Sequence, residues 1–259
     1  RNGVKVYPAD LIMFYLTPTE NNEQARIMYE KNIFSVTRQL RYSQDAGKLA
    51  LDVCLFINGL PVITMELKNQ LTKQNTENAV RQYKEDRDFH DLLFSFKRCM
   101  VHFAVDDATI QFCTKLAGKD SWFLPFNKGY NDGAGNPPNP DGIMTDYLWK
   151  NILTKRKLSR IIENYAQVIE EVDEDTKKKS IKQIWPRYHQ LDCVEKLLDD
   201  VQENGVGKRY LIQHSAGSGK SNSIAWLAHQ LIGLEKDGHP MINSVHAGQK
   251  HRNMGRTFR

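Results

Sequence analysis

Cysteine is scarce: Cys54, Cys99, Cys113 and Cys193 are the only four in 259 residues, and they show no paired spacing. That argues against a disulfide framework and suits isolated thiols in a reducing cytosol. No run of about 18 apolar residues occurs, so no helix is expected to cross a membrane. The opening Arg1-Asn2-Gly3-Val4-Lys5 leads into no signal-type apolar region. An initiator Met is also missing, so the expectation is a cytoplasmic protein whose numbering starts inside a longer chain. Charge of one sign is in small excess, at +5, with opposite charges interspersed. That permits a polyanionic partner without requiring one. Internal repeats are absent. What is present is an ordinary globular composition, 40% apolar and 26% charged. It can support a core, and the length suffices for two compact units.

Periodicity places a helix around Ala25–Asn32 and a short strand over Ile33–Leu40. The clearest β signal spans residues 53–68, two apolar runs separated by Asn58-Gly59. Both of those residues accept positive φ, which favours a tight hairpin. A polar helix follows over Thr76–Asp88. Val101–Val105 and Ile110–Thr114 read as strands turned by Asp106-Asp107. Pro125–Gly142, dense in Gly, Pro, Asn and Asp, reads as a long loop. Residues 146–171 have helical spacing. The charge block Glu170–Asp175, followed by Lys177-Lys178-Lys179, reads as an exposed linker. Beyond it lie a loop and helix over Trp185–Val201, a buried strand at Arg209–His214 and a helix over Lys220–Leu231.

Charged residues at the hairpin ends carry the first candidate chemistry. Asp52 opens the first strand, and Glu66 and Lys68 close the second. Val62, Thr64, Glu66 and Lys68 share one face, leaving Ile63, Met65 and Leu67 to face a core. A turn at Asn58-Gly59 sets Asp52 opposite residue 65 or 66, within side-chain reach. Two adjacent carboxylates repel unless a hard cation such as Mg²⁺ lies between them. Such a cation polarises a phosphodiester and lowers the pKa of water, and the lysine holds or activates that water. Spacing alone fits a salt-bridged surface hairpin equally, so the neighbouring motifs have to decide.

The second candidate is a phosphate loop. Strand Tyr210–His214, turn Ser215-Ala216-Gly217-Ser218-Gly219-Lys220-Ser221, and Ile224, Leu227, Ala228 and Leu231 at helical spacing supply the strand–loop–helix context that ATP binding needs. The N–H groups of Gly217, Ser218 and Gly219 would cradle phosphates, Lys220 would reach the β/γ-phosphates, and the Ser221 hydroxyl would bind Mg²⁺. His214 stands where the strict pattern has Gly, a relaxation that superfamily 2 helicases share. Gln190, within Pro186-Arg187-Tyr188-His189-Gln190, lies where many helicases read the adenine edge.

Four blocks agree in order and spacing with one family. They are Asp52–Lys68, containing Phe56-Ile57-Asn58-Gly59-Leu60-Pro61 and Glu66-Leu67-Lys68; Phe123–Gly129; Pro186–Gln190; and Tyr210–Ser221. Together they closely resemble the R (motor and nuclease) subunit of type I restriction-modification enzymes, over nearly the whole chain to about residue 234. The resemblance implies an α/β fold, with a restriction-endonuclease-like Asp…Glu-x-Lys core at 1–168, a charged linker at 169–182, and the start of a RecA-like superfamily 2 helicase domain at 183–259. It implies Asp52 and Glu66 as metal ligands, Lys68 as the catalytic lysine, Mg²⁺ and ATP as cofactors, and double-stranded DNA as substrate. Methyltransferase and specificity subunits are the implied partners. The implied activity is cleavage of foreign DNA, coupled in the full-length protein to ATP-driven translocation.

Two departures qualify the resemblance. The family often carries Gln and Tyr four apart on the helix after the nuclease motif, whereas Gln82 and Tyr83 are adjacent here and Ala79 takes the earlier position. That argues against a supporting contact from this helix to Lys68. The run from Ser244 to Arg259 is basic and non-periodic, unlike the family, and reads as an unstructured tail. Lacking an acidic partner motif, residues 1–259 are expected to hydrolyse ATP poorly. Two other readings are a repair-type helicase–nuclease, and a catalytically silent DNA-binding or assembly module.

Overall fold

A computed structural model describes residues 4–6, 9–19, 22–43, 49–172, 177, 179–236, 239–242 and 256–257. The chain divides into two compact units, Arg1–Trp185 and Pro186–Arg259.

Unit 1 is built on a six-stranded mixed sheet. Its strands are β1 (Phe34–Arg41), β2 (Ala50–Ile57), β3 (Leu60–Leu67), β4 (Val101–Val105), β5 (Ile110–Cys113) and β6 (Leu124–Pro125), hydrogen-bonded in that order. All neighbours run antiparallel except β3 and β4, which are parallel. At the β2–β3 turn Asn58 and Gly59 both have positive φ, +51° and +81°, the geometry whose twist matches the flanking strands. The Asn58 side chain also ties the turn to its surroundings, accepting from the Ile33 N–H and donating to the Met13 carbonyl. Asp106 caps the β4–β5 turn, its Oδ1 accepting from the N–H groups of Ala108 and Thr109 at 2.7 Å each.

The expectation that β3 has a single core face is corrected: every residue from Pro61 to Glu66 is buried. With β2 on one edge and β4 on the other, β3 is central, and both of its faces are covered. On one side Tyr83, Phe94 and His102 pack ring against ring beside Leu51 and Cys54. On the other, Phe103, Phe112, Phe126 and Trp185 form an aromatic layer. Cys54, Cys99, Cys113 and Cys193 are free thiols. Burial pushes Cys54 and Cys99 up to about 12 and Cys113 up to about 11.

Helix α1 (Glu23–Glu30) is capped by the Asn22 side chain, and α2 (Thr76–Arg81) by a reciprocal Asn75–Asn78 box. The helix read as continuous over 76–88 changes character partway. After Arg81 it widens into a π-helical turn, Gln82–Asp86, a distortion frequent at functional sites. The helical reading of 146–171 holds only in part. A π-helical turn at Leu148–Ile152 and helix α3 (Lys155–Asn164) give way to strand β7 (Gln167–Val172). Strand β8 (Lys179–Ile184) pairs antiparallel with β7 along its whole length. Most of the stretch read as a linker at 169–182 is therefore hairpin. Its charges pair across the strands, Lys179 with Glu170 and Lys182 with Glu171, so a charge block that looks solvated is also ladder-forming. Gln183 Nε2 donates to the carbonyls of Cys99 and Met100, at 2.8 and 2.7 Å, tying β8 to the chain that enters β4.

Unit 2 holds helices α4 (Tyr188–Asn204) and α5 (Lys220–Ile232), which pack on each other; Leu191, Val194, Leu198, Trp226 and Leu227 are their buried apolar residues. The strand expected to be buried at Arg209–His214 is shorter and more open. Strand β9 is Leu211–Ile212, paired with Arg256–Thr257, and Leu211 is 75% exposed. A central strand is buried only when neighbours cover both faces. Apart from Arg256–Thr257, the tail read as unstructured over 244–259 lies outside the described residues. Among the described residues, no helix is long and apolar enough to cross a membrane.

Candidate nuclease and nucleotide sites

The β2–β3 ladder sets Val53 opposite Met65, which brings Asp52 level with Glu66. Asp52 is half-buried and doubly held: Oδ2 accepts from the Leu67 N–H at 2.8 Å and Oδ1 from the Gln39 amide at 3.0 Å. Gln39 reaches it from a backbone position with φ +50°, between the ladder pairs Arg38–Val53 and Leu40–Leu51. Glu66 is 0% exposed. Its Oε1 accepts from Arg87 Nε at 2.8 Å and forms an ion pair with Nη2 at 2.6 Å, while Oε2 is buried and accepts from no donor. Burial pushes the Glu66 carboxyl up to about 8; Arg87 pulls it down, and the adjacent Asp52 pushes it up by its charge and by accepting a hydrogen bond from the protonated carboxyl. The two carboxylates read from the hairpin are therefore neighbours.

Lys68 leaves β3 just beyond Glu66, its N–H donating to the Val105 carbonyl at 2.8 Å. Its Nζ donates to Gln82 Oε1 at 2.6 Å, which overturns the expectation of no contact from the following helix. Gln82 follows directly on α2 in helical geometry and opens the π-helical turn, while its neighbour Tyr83 points into the core, bonded at 2.9 Å to Thr64 Oγ1. Arg87, the first residue past that turn, went unnoticed in the sequence. It sits in Lys84-Glu85-Asp86-Arg87-Asp88, where nothing distinguishes a buried arginine from solvated neighbours. Arg87 is 3% exposed, and it also donates to the Tyr42 hydroxyl and the Ala50 carbonyl.

These residues suit a divalent cation on two counts. Two oxygen-rich side chains adjoin, and one buried carboxylate oxygen lacks a donor, an arrangement that normally costs about 1–3 kcal/mol. Among the described residues no cluster of three or more His, Cys, Asp or Glu side chains is placed to hold a metal, so any ion here rests on two carboxylates.

In unit 2 the turn before α5 has Gly217 and Gly219 at φ +70° and +78°, and a Cβ at Gly219 would collide with Gln190 Nε2. Gln190 is buried, and its Nε2 donates to the Gly219 carbonyl at 2.9 Å while its Oε1 accepts from the Arg187 N–H at 2.9 Å. The side chain expected at an adenine edge thus braces the loop itself. His189 Nε2 meets the Ser218 carbonyl at 3.0 Å. Lys220 Nζ turns back to the carbonyls of His214 and Ser215, at 3.0 and 2.7 Å. Ser218 is buried and its Oγ lacks a partner, whereas Ser221 is exposed. Positive-φ glycines and an amine at a helix start are what a phosphate cradle requires.

Comparison with known proteins covers the first motif block, Asp52–Lys68, with a family model. Residues 17–121 match the family model described as the type I restriction enzyme R protein N terminus. Over 224 residues the chain is 26% identical to a putative type I restriction enzyme MjaVIIIP endonuclease subunit of Methanocaldococcus jannaschii, covering 82% of this chain and 20% of that protein. It is 24% identical over 238 residues to the type I restriction enzyme HindI endonuclease subunit of Haemophilus influenzae, covering 86% and 22%. The chain thus spans about a fifth of the length of these curated relatives.

Proposed function

We propose that this chain, which is related to the endonuclease (R) subunits of type I restriction enzymes, carries a Mg²⁺-dependent DNA-cleaving centre at Asp52, Glu66 and Lys68. The observation that carries the reading is the pairing of Asp52 with a fully buried Glu66 whose Oε2 accepts from no donor. On this reading the surrounding sheet is a restriction-endonuclease-like core, and Asp52 and Glu66 hold the cation. The cation supplies charge stabilisation at the scissile phosphodiester and acidifies water. Asp52 stays oriented through the Leu67 N–H and the Gln39 amide. Lys68, steadied by Gln82, holds and orients the attacking water.

The reading extends to unit 2 as the start of a RecA-like helicase domain that binds ATP. Gly217, Ser218 and Gly219 present backbone N–H groups to the phosphates, and Ser221 reaches the accompanying Mg²⁺. Lys220, which here donates to the His214 and Ser215 carbonyls, would be the residue to hold the β/γ-phosphates. Gln190 shapes the loop from behind, with adenine recognition as its second role. In the full-length protein, cutting of double-stranded DNA is coupled to ATP-driven translocation within a cytoplasmic complex with methyltransferase and specificity subunits. The names of the relatives favour restriction over a repair-type helicase–nuclease or a silent assembly module.

Plasmid nicking with Mg²⁺ or Mn²⁺ tests the centre. Glu66→Ala and Lys68→Ala are each expected to abolish the wild-type activity, and unaltered nicking in both removes the catalytic assignment. Co-purification of a methyltransferase–specificity complex with the chain tests the proposed partners.

A further inference from the structure

We propose that Arg87 is a positioning residue for the cation site: it occupies Glu66 Oε1 with both arms of its fork, so that Oε2 alone is left to a divalent ion beside Asp52. The inference rests on the reading of Asp52 and Glu66 as cation ligands. An arginine paired with a carboxylate usually spans both oxygens, one nitrogen to each. Here Nε and Nη2 both converge on Oε1, at 2.8 and 2.6 Å, and Oε2 takes nothing. Such an arrangement fixes the carboxylate's rotation and gives it one free oxygen.

The arginine is itself held on three sides. Nη1 donates to the Tyr42 hydroxyl at 3.1 Å, Nη2 donates to the Ala50 carbonyl at 2.8 Å, and the guanidinium lies 5.5 Å from the centroid of the Tyr42 ring. Tyr42 in turn packs edge-on against Phe94 of the core. A lysine has one nitrogen and cannot make the Glu66, Tyr42 and Ala50 contacts together. An enclosed arginine that serves only the fold could equally span both oxygens of its partner. The one-oxygen grip ties Arg87 to the ligand's free atom.

Partners that orient a metal ligand are typically worth about 10–100-fold in affinity. We expect Arg87→Gln to weaken Mn²⁺ binding to the whole chain by at least tenfold, measured by titration calorimetry with folding checked by circular dichroism. Arg87→Lys should recover only part of the loss. Tyr42→Phe removes a single hydroxyl far from the ion and should weaken binding two- to fivefold, which keeps the test decisive if neither Arg87 variant folds. Glu66→Gln is the control for the underlying reading. If it loses Mn²⁺ binding while the folded Arg87 and Tyr42 variants bind like the wild type, the positioning role is overturned and the site stands. If Glu66→Gln also binds like the wild type, the cation site itself is wrong. A purely structural role would lower the melting temperature of the Arg87 variants and leave the Mn²⁺ constant of the folded protein unchanged.

Discussion

His102 makes unit 1 sensitive to mild acid. It is 2% exposed on β4, its Nδ1 bonded at 2.7 Å to Thr64 Oγ1, which in turn bonds to the Tyr83 hydroxyl. Burial lowers its pKa from 6.5 to about 3, so the ring is neutral in the folded chain at any moderate pH. The unfolded chain takes up a proton below pH 6.5 and the folded chain does not. The stability of the neutral ring is therefore complete above that value, falls as pH drops, and stops falling only near pH 3. Each pH unit in that window costs about 1.4 kcal/mol, so going from pH 6.5 to 5 costs roughly 2 kcal/mol. The perturbation is His102→Gln, which keeps a polar group beside Thr64 but cannot titrate. Urea unfolding at pH 7, 6 and 5 should be followed by tryptophan emission, to which unit 1 contributes Trp122, Trp149 and Trp185. The variant starts from a lower stability, yet its loss between pH 7 and 5 should be smaller than the wild type's by about 2 kcal/mol. Parallel losses in the two chains would refute the assignment of a neutral, buried ring.

Further outcomes follow from the same contacts. Thr64→Val strands both the Tyr83 hydroxyl and His102 Nδ1 in the core, and should cost about 1–3 kcal/mol for each orphaned group, read by urea unfolding. Gly219→Ala forces an L-residue to φ +78° and pushes Gln190 off the Gly219 carbonyl. We expect a loss of about 1–2 kcal/mol in unit 2 and weaker binding of a fluorescent ATP analogue. Lys220→Met should abolish that binding while leaving plasmid nicking by unit 1 unchanged. Gln183→Ala removes the donor shared by the Cys99 and Met100 carbonyls, and should make the β7–β8 hairpin the first site of limited proteolysis.

Five of the six sheet strands and the β2–β3 turn were legible in the sequence because local chemistry settles them; Leu124–Pro125, at the edge of a stretch read as loop, was not. Short apolar runs on either side of Asp106-Asp107 mark Val101–Val105 and Ile110–Cys113, and positive φ at Asn58 and Gly59 admits few residue types. The turn placed Asp52 opposite residue 65 or 66; a register shift between Leu55 and Phe56, which the sequence does not announce, settles it level with Glu66. What could not be read depends on partners distant in sequence. Gln167–Val172 carries apolar spacing that fits a helix, and only its pairing with Lys179–Ile184 makes it a strand. That β3 is buried on both faces follows from the ring layers of Tyr83 and Phe94 on one side and Phe126 and Trp185 on the other, all distant from it in sequence.

Arg87 shows this limit most sharply, and it changes how the site is understood. Read from sequence, the centre is two acids and a lysine arranged on one hairpin. In the structure the hairpin supplies ligands whose orientation comes from elsewhere: Gln39 on β1 for Asp52, the π-helical turn for Lys68, and the residue after that turn for Glu66. Replacing the π-helical turn with regular helix would leave Gln82, which continues α2, in place and rotate Arg87 relative to Glu66, because each residue turns a helix by about 100°. Deleting one residue from Lys84–Asp86 is thus expected to remove the support of Glu66, while Asp52, held by β1 and β3, and Lys68, held by Gln82, keep theirs. Geometry of this kind is distributed over strands and turns that a motif does not mention, which is why the motif alone fits a bland surface hairpin as well as a cutting site.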